Sequence, residues 1–590
     1  MPPPACSFPT RHAAAAVSRF PGPQTATRGS PMVRAVRRMV LSACLVMVAT
    51  GPRAGIAQDL RSVSLDHWAY ALADDLLLRH PGLGAGIWLG NRPWREADFR
   101  LLLARADSAG LDADPHAGGA LEILGRAFPD ETAVAGDVRF HNEVSLRAMV
   151  HASEDDATFD PAFLGVRFQE PDGDPPVPPL RAVLQHDFAV QFRDRFALGW
   201  RYAIDSDVTG DPTRFRQIEA REDTDYGFAL LEAYVAYRYG PVRLTAGRSE
   251  LALGQAGGSS SVFMSDSIAP LDQLRVDLVT GALRFTGLIA RLSGDEQNRM
   301  LDELERTIPG SMPPPGRERR GVDRLFYLHR IDWQPASALQ VAISEAALVT
   351  GIDRGLDARY ANLLIPFFVT QEDEDESGGA DVNVMVNAEA LLLVPFGARL
   401  WADVYVQEFF IDADKRENIG NQMAYKAGGL LAGDAIGVPT VTAGLEYTRV
   451  DVFTYLHRGL NTNHTQFGAP IGSSLGPDAD MGQAWITWKP RANLRLTAEA
   501  MTRRDGERGV ETLESVIGAG NPEFPSGVVQ REQRLGVEVW GLLPRYGAEG
   551  LLRASVHDLE DIGHEPGHEG TFWALEAGLR VRHDFAQGAR

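Results

Sequence analysis

Over most of the chain apolar and polar residues alternate one by one, in runs of roughly ten residues that come in pairs. From Phe228 to Tyr239, Leu231, Ala233, Val235, Tyr237 and Tyr239 share one face while Glu232 and Arg238 take the other. Such a strand has a greasy side and a polar side. Its partner, Val242 to Leu253, follows after only Gly240-Pro241. A second pair, Val382 to Val394 and Ala398 to Phe410, is built about Pro395-Phe396-Gly397, with Val382, Val384, Val386 and Ala388 alternating with Asn383, Met385, Asn387 and Glu389. Further tight hinges are Gln334-Pro335-Ala336-Ser337, Lys489-Pro490-Arg491-Ala492 and Pro544-Arg545-Tyr546-Gly547. Roughly ten to thirty residues rich in Asp, Glu, Gly and Pro separate the hairpins. Short turns at one end and long loops at the other predict a transmembrane antiparallel β-barrel.

Parity sharpens that prediction. Eighteen strands are expected, starting near Val138, Arg181, Phe196, Tyr226, Val242, Gln273, Leu283, Asp323, Leu339, Val382, Ala398, Gln422, Val441, Gly482, Leu494, Gln530, Ala548 and Thr571. If the first strand runs outward, every tight hinge is periplasmic. The long connections, near 152–179, 208–223, 254–271, 295–321, 352–380, 411–420, 454–479, 504–528 and 559–569, are then external. An even count leaves both ends of the barrel in the periplasm. Phe192, Phe196, Tyr239, Trp333, Phe396, Trp488, Trp540 and Tyr546 cluster beside the tight turns, as an interfacial girdle would.

The N-terminus carries an export pattern. Met32-Val-Arg-Ala-Val-Arg-Arg is basic, Met39 to Thr50 is apolar, and Gly55 and Ala57 suit cleavage before Gln58. Residues 1–57 are therefore expected to be a signal peptide, with a possible start at Met32. Cys44 reads as part of its apolar core rather than as a lipidation site. Cys6 and Cys44 are the only cysteines, so the mature chain needs no disulfide and no cysteine metal site. Removing seven arginines with the leader takes the formal charge from −21 to about −28. No basic stripe suits nucleic acid. The acidic runs Glu154-Asp155-Asp156 and Glu372-Asp373-Glu374-Asp375-Glu376 read as solvated outer loops. No later apolar run approaches a membrane helix, so strands must do any spanning.

Residues 58–133 differ in character from the barrel, residues 134–590. Leu65, Trp68, Ala69, Leu72 and Leu76 recur at helical spacing after a cap at Ser64, until Pro81-Gly82. A second helix is expected from Pro93 through Phe99, Leu102 and Leu103 to Ser108-Ala109-Gly110, and a third after Asp114-Pro115 with Leu121, Ile123, Leu124 and Phe128. Three short amphipathic helices suit a periplasmic bundle against the inner mouth.

Several stretches resemble the capsule assembly protein Wzi family. They include His67-Trp68-Ala69-Tyr70, Asn91-Arg92-Pro93-Trp94, Gly247-Arg248 with Leu253-Gly254, and Leu271 after Ser265-Asp266-Ser267-Ile268-Ala269-Pro270. His329-Arg330, Ser344-Glu345 and Gln407-Glu408-Phe409-Phe410-Ile411-Asp412 fit further positions. So do Glu446-Tyr447-Thr448, Thr454-Tyr455, and Gly468-Ala469-Pro470-Ile471-Gly472 leading to Gly476-Pro477-Asp478-Ala479-Asp480. Leu253-Gly254 stands where the family has Trp-Gly, and the second aspartate near Asp412 is displaced to Asp414. The resemblance implies an eighteen-stranded outer-membrane barrel with a periplasmic helical bundle and a lectin-like role in organising surface polysaccharide.

Enzyme-like strings fade on inspection. His564-Glu565-Pro566-Gly567-His568 matches a zincin string, but Pro566 and Gly567 break the helix that would bring both histidines to one face. Gly82-Leu83-Gly84-Ala85-Gly86 follows a helix and reads as its stop, and Gly257-Gly258-Ser259-Ser260-Ser261 as a loop. No catalytic constellation, metal site or cofactor is implied. Two functions remain open. A polysaccharide-binding barrel would use Tyr455, His457, Arg458, Asn461, Asn463, His464, Asp478 and Asp480 at its outer face, where aromatic and hydrogen-bonding groups suit sugars. A porin-like channel would use lumen-facing Arg248, Glu345, Glu408 and Asp412, with Glu232, Arg238 and Asp403. The expected partners are capsular or cell-surface polysaccharide, outer-membrane lipid and the barrel assembly machinery, with the chain a monomer.

Overall fold

Strand alternation closes into a wall. The computed structural model describes residues 60–114, 116–129, 138–153, 157–160, 165–168, 180–193, 195–206, 227–254, 261–294, 322–352, 354–363, 365–370, 382–408, 421–457, 460–510 and 522–585. The expected signal peptide, the acidic runs at 154–156 and 372–376, Gly257 to Ser260, Arg458, Asp412 and the tail 586–590 lie outside the described residues. The barrel strands are β1 Val138–Ser153, β2 Leu180–Phe192, β3 Phe196–Asp205, β4 Gly227–Tyr239, β5 Val242–Ser249 and β6 Leu271–Thr280. Then come β7 Leu283–Leu292, β8 Val322–Ala336, β9 Leu339–Ile352, β10 Val382–Val394, β11 Ala398–Glu408 and β12 Gln422–Ala432. The last are β13 Val441–Val450, β14 Ala479–Arg491, β15 Leu494–Asp505, β16 Gln530–Leu543, β17 Ala548–Glu560 and β18 Gly570–Asp584. Each pairs antiparallel with its sequence neighbour, and β18 closes on β1 with Glu143 opposite Asp584. All eighteen expected strands are present.

The period-two rule sorts the side chains. In β10, Asn383, Met385, Asn387 and Glu389 are buried in the lumen while Val386 and Leu392 are exposed on the outside. Outside the wall stand Phe140, Leu146, Leu184, Leu274, Ile343, Leu400, Ile486 and Leu535, the apolar coat of a barrel that displaces lipid. Phe192, Tyr239, Trp333, Phe396, Trp488 and Tyr546 are exposed beside the tight turns. Trp540 is the exception: it points inward, donating to Glu549 at 2.8 Å beneath the Arg495 guanidinium.

Two local departures have physical causes. Leu231 was expected to face outward with Ala233, but a register shift between Arg201 and Tyr202 inserts it as an extra residue, and it is buried with Ala203 and Ala229. The strand expected to reach Leu253 leaves the wall after Ser249. Glu250 is drawn into the lumen by Arg201 at 3.3 Å and by the Leu65 N–H at 3.0 Å.

The N-terminal helices are α1 Ala69–Arg79, α2 Glu96–Ser108 and α3 Gly118–Ala127. They start later than the sequence suggested. Ser64 and Pro93 precede the helical turns, and the second helix is capped by Arg95, whose N–H bonds the Asp98 carboxylate at 2.8 Å. Leu72, Leu76, Leu77, Trp94, Phe99, Leu102, Leu121 and Leu124 form one core. That core continues onto lumen-facing Leu391, Leu393 and Trp401 at the tight-turn end of β10 and β11. The apolar stripe of the helices is thus covered partly by the helices themselves and partly by the barrel wall.

Candidate functional site

The lumen holds two inserts that approach from opposite ends. From the tight-turn end the helices fix the segment before α2. The Tyr70 hydroxyl donates to the Val63 carbonyl at 2.9 Å and accepts the Trp94 N–H at 2.8 Å. Arg92 pairs with Asp74 at 2.9 Å and lies over the Tyr70 and Trp94 rings. Ahead of it Asn91 is presented to the wall, where its amide donates to Asp332 at 3.2 Å and accepts from Arg275 at 2.7 Å.

From the other end, the segment after β5 turns into the barrel and meets that point. Asn91-Arg92 forms a two-residue antiparallel ladder with Ala252-Leu253, and the Gly254 N–H donates to the Gly90 carbonyl at 3.0 Å. Gly254 has φ +116, and a side chain there would run into Ser261 and the Asp403 carboxylate. Around the junction, Arg330 bridges Asp332 and Glu389, and Asp403 accepts from Ser261 at 3.1 Å. Buried charges are tolerated there because they are paired and hydrogen-bonded.

The outer insert is completed by residues 451–457 and 460–478. Val262, Phe263, Met264, Tyr455 and Ile471 pack on lumen-facing Leu288, Phe326, Leu328, Met385 and Tyr405. Tyr455 is fully buried with φ 73, an uncommon conformation for a bulky residue. Its hydroxyl donates to the Val262 carbonyl at 2.7 Å and accepts the Ser473 N–H at 2.9 Å, so one side chain ties both loops together. Burial raises its pKa far above the ordinary phenol range. Arg324, on the lumen face of β8, donates to the carbonyls of Asn461 at 2.7 Å, Asn463 at 2.7 Å, Thr465 at 3.1 Å and Ser293 at 2.9 Å.

These placements revise the sequence-predicted site. Tyr455 was expected on an exposed loop tip; it is instead a buried tie. His464 is also fully buried, stacked 5.5 Å from Tyr405 and 5.8 Å from Phe326. Burial first, and then the Arg324 guanidinium, hold its imidazole down to about 3, so it is neutral. Asn463 is buried and accepts the His457 N–H at 2.9 Å, and His457 Nδ1 lies 2.9 Å from the Thr462 hydroxyl. Asn461 and His457 are half-buried at the surface of the insert. Asp478 is buried and accepts the Ser526 N–H at 2.9 Å, with its pKa raised by burial. Asp480 turns out of the barrel and meets Arg504 at 2.5 Å and the Tyr447 hydroxyl at 2.8 Å.

Two lumen assignments are corrected by register. Gly247, in line with inward Gln273, has no room for a Cβ against the Ala233 carbonyl. The next residue, Arg248, therefore faces outward, and pairs with exposed Asp272 at 2.7 Å. Glu345 also faces outward, since Ser344 and Ala346 on either side are the lumen residues of β9. It is covered from outside by residues 354–363 and 365–370, which fold down over β7 to β10, and it accepts the Phe368 N–H at 3.2 Å. Glu232 and Asp403 do face the lumen, with Glu232 3.0 Å from Arg201. Arg238 stands opposite Arg243, whose side chain reaches the Leu60 carbonyl inside. Glu408 stands past a register shift, opposite buried Gln422.

His564 and His568 share no helical face: a 3₁₀ turn ends at His564, whose Nδ1 lies 2.8 Å from the Val528 carbonyl. Among the described residues no group of three or more His, Cys, Asp and Glu side chains is placed to hold a metal ion. Arg324 and Phe263 escaped sequence reasoning, and Asn91 stood out only as part of a family-like stretch. A charged residue on the polar parity of a strand signals only the lumen, and nothing local tells which loop will return to meet it.

Residues 150–539 match the family described as capsule assembly protein Wzi. Among solved structures, the chain is similar to the outer membrane protein Wzi of Escherichia coli, described as a carbohydrate-binding β-barrel involved in group 1 capsule assembly. The identity is 11%, the TM-score 0.52, and the likeness covers 87% of this chain and 97% of that one. Looser likenesses, with TM-scores of 0.41 and 0.39, are to OccD3 and OccK3 of Pseudomonas aeruginosa. Their identities are 8% and 10%, and the matches cover 76% of this chain and 91% and 96% of theirs. No curated protein sequence matches the chain.

Proposed function

The chain belongs to the capsule assembly protein Wzi family, and on that premise we propose that it is an outer-membrane barrel that holds surface polysaccharide at its outer face. The observation that carries this reading is the junction of Asn91-Arg92 with Ala252-Leu253, where the two inserts are hydrogen-bonded to each other inside the lumen. A diffusion channel needs a continuous wet path; a binding platform needs a rigid cap. The outer insert supplies the second, because buried Tyr455, Phe263 and Arg324 stiffen it from below while His457 and Asn461 remain at its surface. Polar groups held by a rigid scaffold lose little entropy on meeting sugar hydroxyls. The expected work is retention of a glycan, with no bond made or cut.

The role assigned to the loop residues changes accordingly. His457, Arg458 and Asn461 are the contact candidates, whereas Tyr455, Asn463, His464 and Asp478 shape the platform. The test is a strain lacking the chain, complemented with wild type or with His457→Ala/Arg458→Ala/Asn461→Ala. Polysaccharide should be made and exported in every case but shed into the medium by the deletion strain and the triple variant. Retention by the deletion strain equal to wild type would overturn the reading. Unchanged retention by the triple variant alone would move the contact surface elsewhere on the outer face.

A further inference from the structure

Glycine inside a strand weakens it and often marks a place where something else comes close. At three wall positions that something is a neighbouring ring: a Cβ on Gly199, Gly428 or Gly444 would strike Tyr234, Trp401 or Trp485. Gly541 and Gly550 differ. They are cross-strand partners on β16 and β17, flanked in register by Leu494 on β15 and Leu579 on β18. Neither has a positive φ. A Cβ on Gly541 would lie 3.8 Å from Leu494, and one on Gly550 would lie 4.0 Å from the Gly578 carbonyl oxygen. Both are ordinary contact distances, so nothing within the wall requires glycine at either position.

The gap is on the lipid side. Val539, Leu543, Leu552 and Leu579 share the parity of the two glycines and are all exposed. Together they border an open groove of about 470 Å³ at the tight-turn end of β15 to β18. Its frame is fixed: the Asn493 amide donates to the Leu542 carbonyl at 2.8 Å, and the Leu542 N–H returns to the Asn493 carbonyl at 2.9 Å. One cation stands at the rim. Lys489 turns inward to Asp75 at 2.5 Å, and a register shift after Trp488 then sets Arg491 opposite Leu494, where it lines the groove. Arg491 is exposed, and among the described residues its guanidinium has no carboxylate or hydrogen-bond partner.

We propose that this groove holds one glycerophospholipid of the inner leaflet, with an acyl chain lying over Gly541 and Gly550 and the phosphate on Arg491. The tight turns are the periplasmic end of the barrel, so a chain entering the wall from Arg491 runs in the direction of an inner-leaflet lipid. A guanidinium fork matches phosphate oxygens, and leucines on either side of a glycine floor match a hydrocarbon chain. The other acyl chain stays in the bilayer. This goes beyond glycan retention, because it concerns the outside of the wall rather than the cap, and its test involves no polysaccharide.

The full chain, purified in detergent, is titrated with phosphatidylglycerol or with a diacylglycerol of the same acyl chains, and bound lipid is counted by native mass spectrometry. Wild type should keep one phosphatidylglycerol and hold the diacylglycerol about tenfold more weakly, because the charge-assisted contact is missing. Arg491→Gln should bind phosphatidylglycerol about tenfold more weakly and no longer distinguish the two lipids. Gly541→Val/Gly550→Val fills the groove with residues that favour a strand and should lose both lipids. Arg545→Gln alters an exposed arginine on the neighbouring hinge, outside the groove, and should bind as wild type does. Heat-modifiable migration checks that each variant is folded. Equal retention of the two lipids by wild type, unchanged retention by the Arg491 or the glycine variant, an equal loss in Arg545→Gln, or a dimer of the chain in place of lipid adducts would each overturn the proposal.

Discussion

The two inserts are held in the same lumen by different physics. The inner one is a helical bundle whose core of Leu77, Trp94, Phe99 and Leu124 is nearly complete before it touches the wall. The outer one has almost no core of its own: Tyr455, Phe263 and His464 are buried only because β7 to β13 surround them, and Arg324 ties the backbone of residues 461–465 to the wall. The inner insert should therefore fail as a unit, whereas the outer one should loosen in steps as individual ties are cut.

Residues 58–590 contain no cysteine, so a single introduced thiol reports on either insert. Ala73→Cys lies in the inner core and Ser265→Cys in the outer insert, both fully buried. The largest effect is expected for Trp94→Ala. Removing that ring from contact with Tyr70 and Phe99 costs about 3–5 kcal/mol and should expose the Ala73→Cys thiol while Ser265→Cys stays protected. Simultaneous exposure of both would show that the inserts are one unit and break the comparison. Arg324→Leu comes next. Four carbonyls lose a charged donor, a loss on the order of 3 kcal/mol since such effects do not add, and labelling of Ser265→Cys should rise while Ala73→Cys is unaffected.

The third effect depends on pH. His464 is held at about 3 in the folded insert and returns to about 6.5 when the insert opens. Between those values the open form binds the extra proton, so the stability contributed by neutral His464 is complete above about 6.5 and is lost as pH falls toward 3. At pH 5 the loss is about 2 kcal/mol. Ser265→Cys labelling should increase from pH 7 to 5, and His464→Phe should remove that increase; an unchanged slope in the variant would assign the sensitivity to another group. Tyr455→Phe is the smallest change. It keeps the ring but deletes the hydroxyl shared by Val262 and Ser473, costing about 1–2 kcal/mol, visible as a modest rise in the same labelling with barrel migration unchanged.

The contrast also explains what could be read in advance. Strand parity depends on nearest neighbours, so β10 was legible residue by residue, and helical spacing exposed Leu72, Leu76 and Leu121. Parity failed where one extra residue resets it, at Leu231, and where the lumen assignment of Arg248 and Glu345 rested on their charge alone. A charged residue can face outward if something covers it, as Phe368 and its neighbours cover Glu345, or if it sits at the rim with a partner, as Arg248 does with Asp272. The loop residues around Tyr455 were expected at the outer face, whereas Tyr455, Asn463 and His464 are buried. Aromatic and amide side chains serve equally to touch a sugar and to fill a cavity, and only the three-dimensional return of the loop to Phe326 and Tyr405 decides between them.

Reconstitution of the full chain in a planar bilayer tests most directly whether the inserts close the barrel. With Asn91-Arg92 joined to Ala252-Leu253, wild type should pass near-zero current at moderate voltage, and deletion of residues 60–129 should produce large, fluctuating openings in any channel that inserts. A large, steady current through the wild-type protein would contradict the account and return the chain to the diffusion channels.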